Sequence, residues 1–332
     1  MIRQLALDLA CGDYDRIAPL HDGTVRPEGI DLTVIPFERP EEIFWRMLIH
    51  GEFDVSEMSL GSYVAGRARG DFPFIAIPVF PSRVFRHSAA YVNVDAGIER
   101  PEDLKGKRVG IPEYQMTATI WLRGILEDDY GVRPADLHWL AGGQEHPGRR
   151  EKVALTLPPE VRLERIPEDR TLSPMLEAGE IDALFTARMP EPFRRRSPRV
   201  RRLFPNYRQV EADYFRRTRI FPIMHTIVIK QAVYEQHPWV AQSLFKAFVA
   251  AKARCAEQLY DTGALRYMLP WVMDDYEDAR DLMGEDFWPY GLEANRHTLE
   301  TFVRYSHAQG IASRAVDPAE LFAKETLDTF RT

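Results

Sequence analysis

One short pattern occurs twice in this chain and constrains its fold more than any other feature. Residues 47–55 read as a helix end, a Gly, an acidic residue and an Asp at a strand start, and residues 175–183 repeat that order. In a second pair, 87–92 and 225–229, each segment begins with His and a hydroxyl residue and continues as an extended β run. Strands and helices alternate around both pairs, which favours parallel strands with right-handed crossovers. The repeats therefore predict two similar lobes of the α/β class, joined by two crossing strands.

The predicted lobes also predict where a ligand binds. We expect the first lobe to comprise residues 1–93 and 226–332, with a mainly helical part from Pro238 onward, and the second lobe to comprise residues 94–225. The arginine-rich stretch 194–202 is expected to be a solvated connection. Ligands in such folds bind where strand ends and helix N-termini converge. The expected site is therefore the cleft between the lobes.

Length, charge and cysteine content exclude several classes of protein. The 332 residues suffice for two domains with sizeable cores, and the net charge of −7 argues against nucleic acid as the main partner. The sequence contains no run of about 18 apolar residues, so we expect no membrane span. Cys11 and Cys255 alone make neither a disulfide framework nor a zinc site. No secretory signal is recognisable, so we expect a cytoplasmic protein whose mature chain begins at residue 1.

Longer strings identify a family. Residues 104–110 and the two Gly-Glu-x-Asp units resemble type 2 periplasmic-binding-protein folds, and the chain is more closely similar to the 4,5-dihydroxyphthalate decarboxylase family, a cytoplasmic enzyme branch of that fold. The strings that carry this resemblance are LACGDYDR (9–16), FDVSEMS (53–59), PSRVFRHS (81–88), VGIPEYQMTA (109–118), FPIMHT (221–226) and FWPYGL (287–292). The resemblance implies conversion of 4,5-dihydroxyphthalate to protocatechuate and CO2 in phthalate breakdown.

The implied reaction sets chemical requirements on the site. The hydroxyl para to the departing carboxylate pushes electrons into the ring, the carbon bearing that carboxylate is protonated, and CO2 then leaves. This chemistry needs a proton donor, a cradle for the carboxylate that stays, and a base or donor set for the catechol oxygens. It needs no organic cofactor in principle. The expected partner is therefore a small aromatic dicarboxylate substrate.

Three side chains are candidates for the acid–base work. His87 follows Arg83 and Arg86 at the start of a predicted cleft strand and is the first candidate for the proton donor, the alternative being an exposed or capping histidine. His225 holds the equivalent place in the second crossing strand, where it either orients or deprotonates a catechol hydroxyl or is a buried histidine bonded to backbone. Glu57 follows a predicted strand and is a candidate to receive a catechol proton or bind a metal.

A further set of residues is expected to bind the substrate. Arg83 and Arg86 are candidates to clamp the retained carboxylate through paired N–H donors, and Arg188 is a candidate to close over the ligand from the second lobe. A predicted helix begins near residues 114–117, where backbone N–H groups either bind an anion or are simply capped. The remaining candidates lie at that helix start or at the predicted cleft ends of two strands: Tyr114, Gln115, Thr117, Ser59, Asp13, Tyr14 and Arg16. Alternatively, Ser59 only caps its helix and Asp13 is a turn residue, and for Asp13 the sequence slightly favours that alternative.

Metal binding, alternative functions and assembly complete the expectations. His87, His225, Glu57 and Asp13 form an N/O ligand set in principle, but the sequence lacks His-x-His and His-Glu-x-x-His spacing, so we favour a reaction without a divalent metal. The same fold also admits a transporter's binding protein, a thiamine-pyrimidine synthase-like enzyme or a cytoplasmic solute-binding sensor for a small aromatic or carboxylate ligand. We expect a homo-oligomer, although the apolar segment 287–290 either forms its interface or packs on its own lobe.

Overall fold

Two mixed sheets organise the computed structural model, which describes residues 4–152, 155–261 and 263–327. The first sheet has the order β2-β1-β3-β11-β4, with β1 (Leu5–Gly12), β2 (Ile30–Phe37), β3 (Val55–Ser59), β4 (Phe74–Arg83) and β11 (Ile223–Lys230). Strand β1 runs parallel to β2 and β3, whereas β11 runs antiparallel to β3 and β4. The late strand β11 therefore inserts into a sheet built mainly from the first part of the chain.

The second sheet collects the strands in between. Its order is β10-β5-β9-β6-β7-β8, with β5 (Ala90–Asn93), β6 (Arg108–Ile111), β7 (His138–Ala141), β8 (Arg162–Arg165), β9 (Ala183–Phe185) and β10 (Val200–Arg202). Strands β9, β6, β7 and β8 are parallel, and β5 runs antiparallel to both β9 and β10. Two sheets with crossings after β4 and before β11 confirm the predicted α/β fold class.

Helices cover both sheets. Their bounds are α1 (Ala18–His21), α2 (Pro40–His50), α3 (Leu60–Arg69), α4 (Thr117–Tyr130), α5 (Leu172–Ala178), α6 (Glu191–Arg194), α7 (Tyr207–Thr218), α8 (Gln231–Gln236), α9 (Trp239–Leu259), α10 (Val272–Met283) and α11 (Arg296–Ala308). None of these described helices has both the length and the apolar character that crossing a bilayer requires.

Helix α2 shows how local sequence sets an element beside the cleft. Pro40 occupies its first turn, where a missing N–H costs nothing, and acidic residues follow at the positive end of the helix dipole. Gly51 ends the helix with φ 54°, a left-handed conformation that favours glycine. The apolar residues Ile43, Phe44 and Met47 are buried. The position of α2 is therefore fixed by one apolar face.

The positions at which the chain passes from one sheet to the other differ by a few residues from the expected lobe boundaries. The chain changes sheets between β4 and β5, so that residues 90–93 pair within the second sheet, and β11 lies wholly within the first sheet. The division at residues 93/94 and 225/226 stays a prediction. The expectation of a merely solvated connection over 194–202 is corrected, because Val200–Arg202 forms β10 and pairs antiparallel with β5.

Candidate active site

A buried carboxylate and a histidine meet on neighbouring strands of the first sheet. Glu57 lies within β3, not after a strand as expected, and its side chain is 0% exposed. Residue 57 pairs with Ile227 of β11, so His225, two residues away, shares its face. His225 Nδ1 lies 2.5 Å from Glu57 Oε1. The register of these two strands thus creates an acid–histidine pair.

Three further hydrogen bonds hold Glu57 as a carboxylate, and the weakest comes from the Cys11 thiol at 3.6 Å. The backbone N–H of Gly12 donates to Oε2 at 2.8 Å, and the Tyr14 hydroxyl donates to Oε1 at 2.8 Å. Burial raises the pKa of Glu57, but the neighbouring His225 charge and these hydrogen bonds outweigh burial and lower the pKa below its usual value. Gly12 is required here, since a Cβ at this position would lie 2.5 Å from the Tyr14 ring. The Glu57 carboxylate thereby holds the His225 ring in place through the Nδ1 atom.

His225 lines a narrow cavity between the two sheets. The cavity volume is about 50 Å³, whereas a cavity of about 150 Å³ admits benzene. An aromatic ligand therefore enters only when the cleft widens. The cavity is lined by Glu41, Phe44, Ser59, Ser62, Arg86, Glu113, Gln115, Met116, Thr117, Ala118, Arg149, Lys152, Ala187, Met224 and His225.

Arg86 places a buried positive charge at this cavity. Its side chain is only 7% exposed, and its Nε donates to Met224 Sδ at 3.0 Å. Burial lowers the pKa of Arg86 to about 10, so the guanidinium stays charged at neutral pH. Within the described residues, no carboxylate forms an ion pair with it. The Glu211 carboxylate raises the pKa of Arg86, but less than burial lowers it, and Glu211 also accepts the backbone N–H of Ser88. A ligand anion at the cavity would therefore add to the compensation for the lost hydration of the guanidinium.

The second lobe contributes a charged cluster that the sequence analysis missed. Glu113 Oε1 lies 2.5 Å from Arg149 Nε, and Glu113 Oε2 lies 2.6 Å from Lys152 Nζ. Burial raises the pKa of Glu113, but Lys152 and Arg149 lower it more strongly. Glu113 belongs to the string at 109–118, whereas both cations come from a segment without any regular pattern. Only Glu113 carried a signal that could have been followed.

Just before α4, an internal carboxylate occupies the backbone N–H groups that were expected either to bind a ligand anion or to be simply capped. The backbone N–H groups of Tyr114 and Gln115 donate to Glu151 Oε1 and Oε2 at 2.5 and 3.2 Å. Gln115 and Thr117 line the cavity. The Tyr114 side chain does not, because it is fully buried within the second lobe beneath the Arg123 guanidinium. Tyr114 therefore contributes only its backbone N–H at this place, and its predicted part in substrate binding stays a prediction.

A hydroxyl pair joins the two lobes at the cavity. Ser59 Oγ and Thr117 Oγ1 lie 2.9 Å apart, and Thr117 Oγ1 also accepts the backbone N–H of Gly61 at 2.9 Å. Ser59 ends β3 and Thr117 begins α4, so each hydroxyl is placed by an element end. Both sequence-predicted hydroxyls are thus brought to one place.

The structure does not bring His87 to this site. Its ring is 0% exposed and packs against Phe204 and Tyr214, with ring centroids at 5.3 and 5.2 Å. Neither ring nitrogen has a hydrogen-bond partner, and burial lowers the pKa of His87 to about 4. Residues 87–89 form a 3-10 turn before β5. This turn directs the ring away from the cleft, and His87 does not line the cavity.

Arg83 also does not line the cavity. Its guanidinium donates to the carbonyl oxygens of Phe221 at 3.0 Å and Pro289 at 2.7 Å, and it donates to the side-chain oxygen of Asn295. Arg83 therefore ties β4 to the segment around residue 289 and is not a substrate clamp. In the same segment, Trp288 Nε1 donates to the Phe80 carbonyl at 2.8 Å. Segment 287–290 thus packs on its own chain, and the homo-oligomer stays a prediction.

The three candidates of the first strand–helix turn, Asp13, Tyr14 and Arg16, lie in different surroundings. Tyr14 bonds to Glu57, as described. Arg16 lies between the rings of Tyr14 and Trp288, at 4.2 and 4.5 Å, and donates to the Pro81 carbonyl at 2.6 Å. Asp13 is exposed and does not line the cavity. Arg16 therefore supports the Tyr14 ring, and the expectation that Asp13 contacts the ligand is corrected.

Arg188 reaches across the mouth of the cleft to the first lobe. Its Nε and Nη2 lie 3.0 and 2.7 Å from the two carboxylate oxygens of Glu41 on α2. Burial raises the pKa of Glu41, but the hydrogen bonds from Arg188 lower it to about 2. The pair is therefore ionised at neutral pH and links the lobes beside the cavity. Glu41 was not among the candidate site residues of the sequence analysis.

A metal site would need three or more His, Cys, Asp or Glu side chains close together. The ranges that the structure describes contain no such group. The preference against a divalent metal stays a prediction.

Two relatives share the sequence of this chain over most of its length. A protein named 4,5-dihydroxyphthalate decarboxylase from Comamonas testosteroni is 46% identical over 328 residues, covering 99% of each chain. One of the same name from Pseudomonas putida is 45% identical over 216 residues, covering 65% of this chain and 83% of the relative.

Transport proteins share its fold. A family model described as the periplasmic substrate-binding protein of a phosphonate ABC transporter matches residues 29–157. The periplasmic aliphatic sulphonate binding protein SsuA from Escherichia coli superposes with a TM-score of 0.52 at 13% identity, covering 97% of this chain and 98% of that chain. This likeness shows a periplasmic-binding-protein-like fold and nothing further.

Proposed function

The chain belongs to the 4,5-dihydroxyphthalate decarboxylase family, and from that membership we propose that it is a carboxy-lyase that converts 4,5-dihydroxyphthalate to protocatechuate and CO2. The single observation that carries the assignment to this site is the pair of Glu57 and His225, which stands at the cavity beside the buried cation of Arg86. The reaction requires a proton donor, a cation that holds the carboxylate that stays, and a cavity for the ring.

Arg86 is proposed to hold the carboxylate that stays on the ring. A buried guanidinium offers two parallel N–H donors, which match the two oxygens of a carboxylate. The departing carboxylate must be neutralised less strongly, because stabilising it in the ground state raises the barrier to its loss. An anchor at one carboxylate only would therefore orient the ring and leave the other free to depart.

His225 is proposed to donate the proton to the ring. The hydroxyl para to the departing carboxylate gives its proton to water, its electron pair moves through the ring, and the carbon that bears the carboxylate takes the proton of His225. The carbon–carboxylate bond then breaks, its electrons restore the aromatic ring as a phenolate, and CO2 leaves. The phenolate takes a proton back from water and His225 is reprotonated from solvent, so the net reaction consumes one proton. Glu57 stabilises the imidazolium before the transfer, as a carboxylate behind a histidine does in other acid–base pairs.

The catechol oxygens are proposed to face other polar groups that line the cavity. Ser59, Thr117 and Gln115 supply hydroxyl and amide groups there, and Glu113 supplies a carboxylate. Phe44 packs edge-on against the His225 ring, with centroids 4.8 Å apart. This contact limits ring rotation and adds an apolar surface for the substrate.

We propose that these protein groups suffice without an organic cofactor or a divalent metal. The test is to follow CO2 and protocatechuate from 4,5-dihydroxyphthalate before and after exhaustive chelation. Equimolar catalytic release of both products supports the proposal. Saturable binding without release would instead favour a solute-binding or sensor protein, and loss of activity restored by one metal would overturn the metal-free reaction. Cytoplasmic location and a homo-oligomeric state also remain proposals.

A further inference from the structure

A second, larger cavity lies directly outside the catalytic one. Its volume is about 470 Å³, within the usual range of small-molecule sites. The two cavities share four lining residues, Glu41, Glu113, Arg149 and Lys152. We call the larger one the outer cavity. Since the inner cavity is too small for an aromatic ring, the outer cavity is where such a ligand first finds room.

One wall of the outer cavity is an apolar surface of α2. It consists of Trp45, Leu48 and Ile49. Trp45 is 52% exposed and Ile49 is 56% exposed, although the opposite face of α2 is buried and holds Phe44 against His225. Large apolar side chains left exposed side by side commonly mark a binding surface. The same helix thus separates an outer aromatic wall from the catalytic histidine.

The facing wall carries charge. It is formed by residues 148–152, in which Arg150 pairs with Glu168 at 3.0 Å. Both partners of that pair are largely exposed, so the pair is weak and can exchange for a ligand carboxylate. The acidic groups of the lining are each engaged: Glu41 by Arg188, Glu113 by Arg149 and Lys152, and Glu151 by two backbone N–H groups.

We propose that the outer cavity is a binding site for aromatic carboxylates, in which the ring stacks on Trp45 and a carboxylate pairs with Arg150 before the ligand passes inward. This inference rests on the proposed function for the identity of the ligand. Indole faces bind aromatic rings in offset or edge-on arrangements, and guanidinium groups bind carboxylates through two N–H donors. Glu41 lines both cavities and pairs with Arg188, so this ion pair stands beside the place where the two cavities adjoin.

Steady-state kinetics of Trp45→Ala and Trp45→Phe test the site. Trp45→Ala is expected to lower kcat/KM about tenfold with kcat unchanged, because capture is lost and the chemistry is not. Trp45→Phe retains a ring and is expected to keep most of kcat/KM. Trp271→Ala is the control, since Trp271 is also an exposed tryptophan, at 70% against 52% for Trp45, but does not line the cavity. Unchanged kcat/KM in Trp45→Ala would overturn the proposal.

Binding of phthalate, which lacks the hydroxyls needed for the reaction, separates this inference from the proposed function. Phthalate is expected to quench tryptophan fluorescence in the parent protein, and the quench is expected to be smaller in Trp45→Phe and weaker in affinity in Arg150→Ala. If the protein releases no CO2 from 4,5-dihydroxyphthalate but this pattern holds, the outer site stands and the proposed function fails. If turnover is normal and neither variant alters the quench, the outer site fails alone.

Discussion

His225 Nδ1 and Glu57 Oε1 lie 2.5 Å apart, and this contact links two neighbouring strands of the first sheet at the cavity. The two residues are 168 positions apart in the chain, so the pair exists only because β11 inserts beside β3. Glu57 is fully buried yet has a lowered pKa, so its charge is available to hold a protonated histidine. The first prediction follows from this dependence.

Glu57→Gln is expected to lower kcat by about 100-fold, because a neutral amide no longer stabilises the imidazolium, and general acid–base catalysis contributes about 10²–10⁴-fold. Binding of phthalate, measured by calorimetry, should change little, since Glu57 does not line the cavity. A kcat within threefold of the parent value would show that the carboxylate does not support the proton donor.

Arg86→Met is expected to raise KM by about 10–100-fold, because removing a charged hydrogen-bonding partner of a buried carboxylate costs about 1.5–3 kcal/mol. Arg83→Met is the control: its guanidinium bonds to backbone carbonyls outside the cavity, so the melting temperature should fall while KM stays near the parent value. Steady-state kinetics and thermal unfolding distinguish the two arginines. Equal effects of both variants on KM would remove Arg86 from the role of anchor.

Glu151→Gln tests the anion site at the start of α4. In the absence of ligand the Glu151 carboxylate occupies the N–H groups of Tyr114 and Gln115. If the substrate uses those groups, an internal carboxylate competes with it, and the neutral amide, a weaker acceptor, should lower KM by about threefold because hydrogen bonds to charged groups are the stronger ones. An unchanged KM would mean that these N–H groups serve only to hold the 148–152 segment.

His87 is expected to make stability depend on pH. Its pKa is lowered by burial from 6.5 to about 4, so the unfolded chain binds more protons than the folded one between these values. This contribution is fully present above about pH 6.5 and is lost as the pH falls towards 4, by about 3 kcal/mol in total. Urea unfolding of the parent protein and of His87→Phe across this range measures it.

His87→Phe removes the titrating group while keeping a ring between Phe204 and Tyr214. The free energy of unfolding of the variant should therefore decline less steeply with falling pH, whatever its absolute value. Identical slopes for the two proteins would mean that His87 is protonated in the folded state or that it does not control acid stability.

The fold could be predicted because its signals are local. A glycine at a helix end followed by an acid and a strand appears twice, and Gly51 and Gly179 both end helices with positive φ. Strand β10 was missed because residues 200–202 are a short edge strand rich in arginine, and pairing with β5 overrides that composition.

The site could be predicted only where a residue lies on a recognisable strand or at the end of a strand or helix. Glu57 and His225 lie within β3 and β11, and Ser59 and Thr117 lie at element ends. His87 was misplaced because the sequence reads as a strand start, whereas a 3-10 turn directs the ring into an aromatic cluster. Arg149 and Lys152 were missed because their partner Glu113 is more than 30 residues away, and nothing local encodes that contact.

The most direct test of the account is turnover of 4,5-dihydroxyphthalate in D2O by the parent protein and by His225→Gln. The parent protein should release CO2 and protocatechuate in equal amounts, with one deuterium at the carbon that lost its carboxylate. His225→Gln should bind phthalate, but its kcat should be at most about one hundredth of the parent value, in line with the loss of a general acid. Turnover by His225→Gln at the parent rate, or no CO2 from the parent protein, would contradict the central claim.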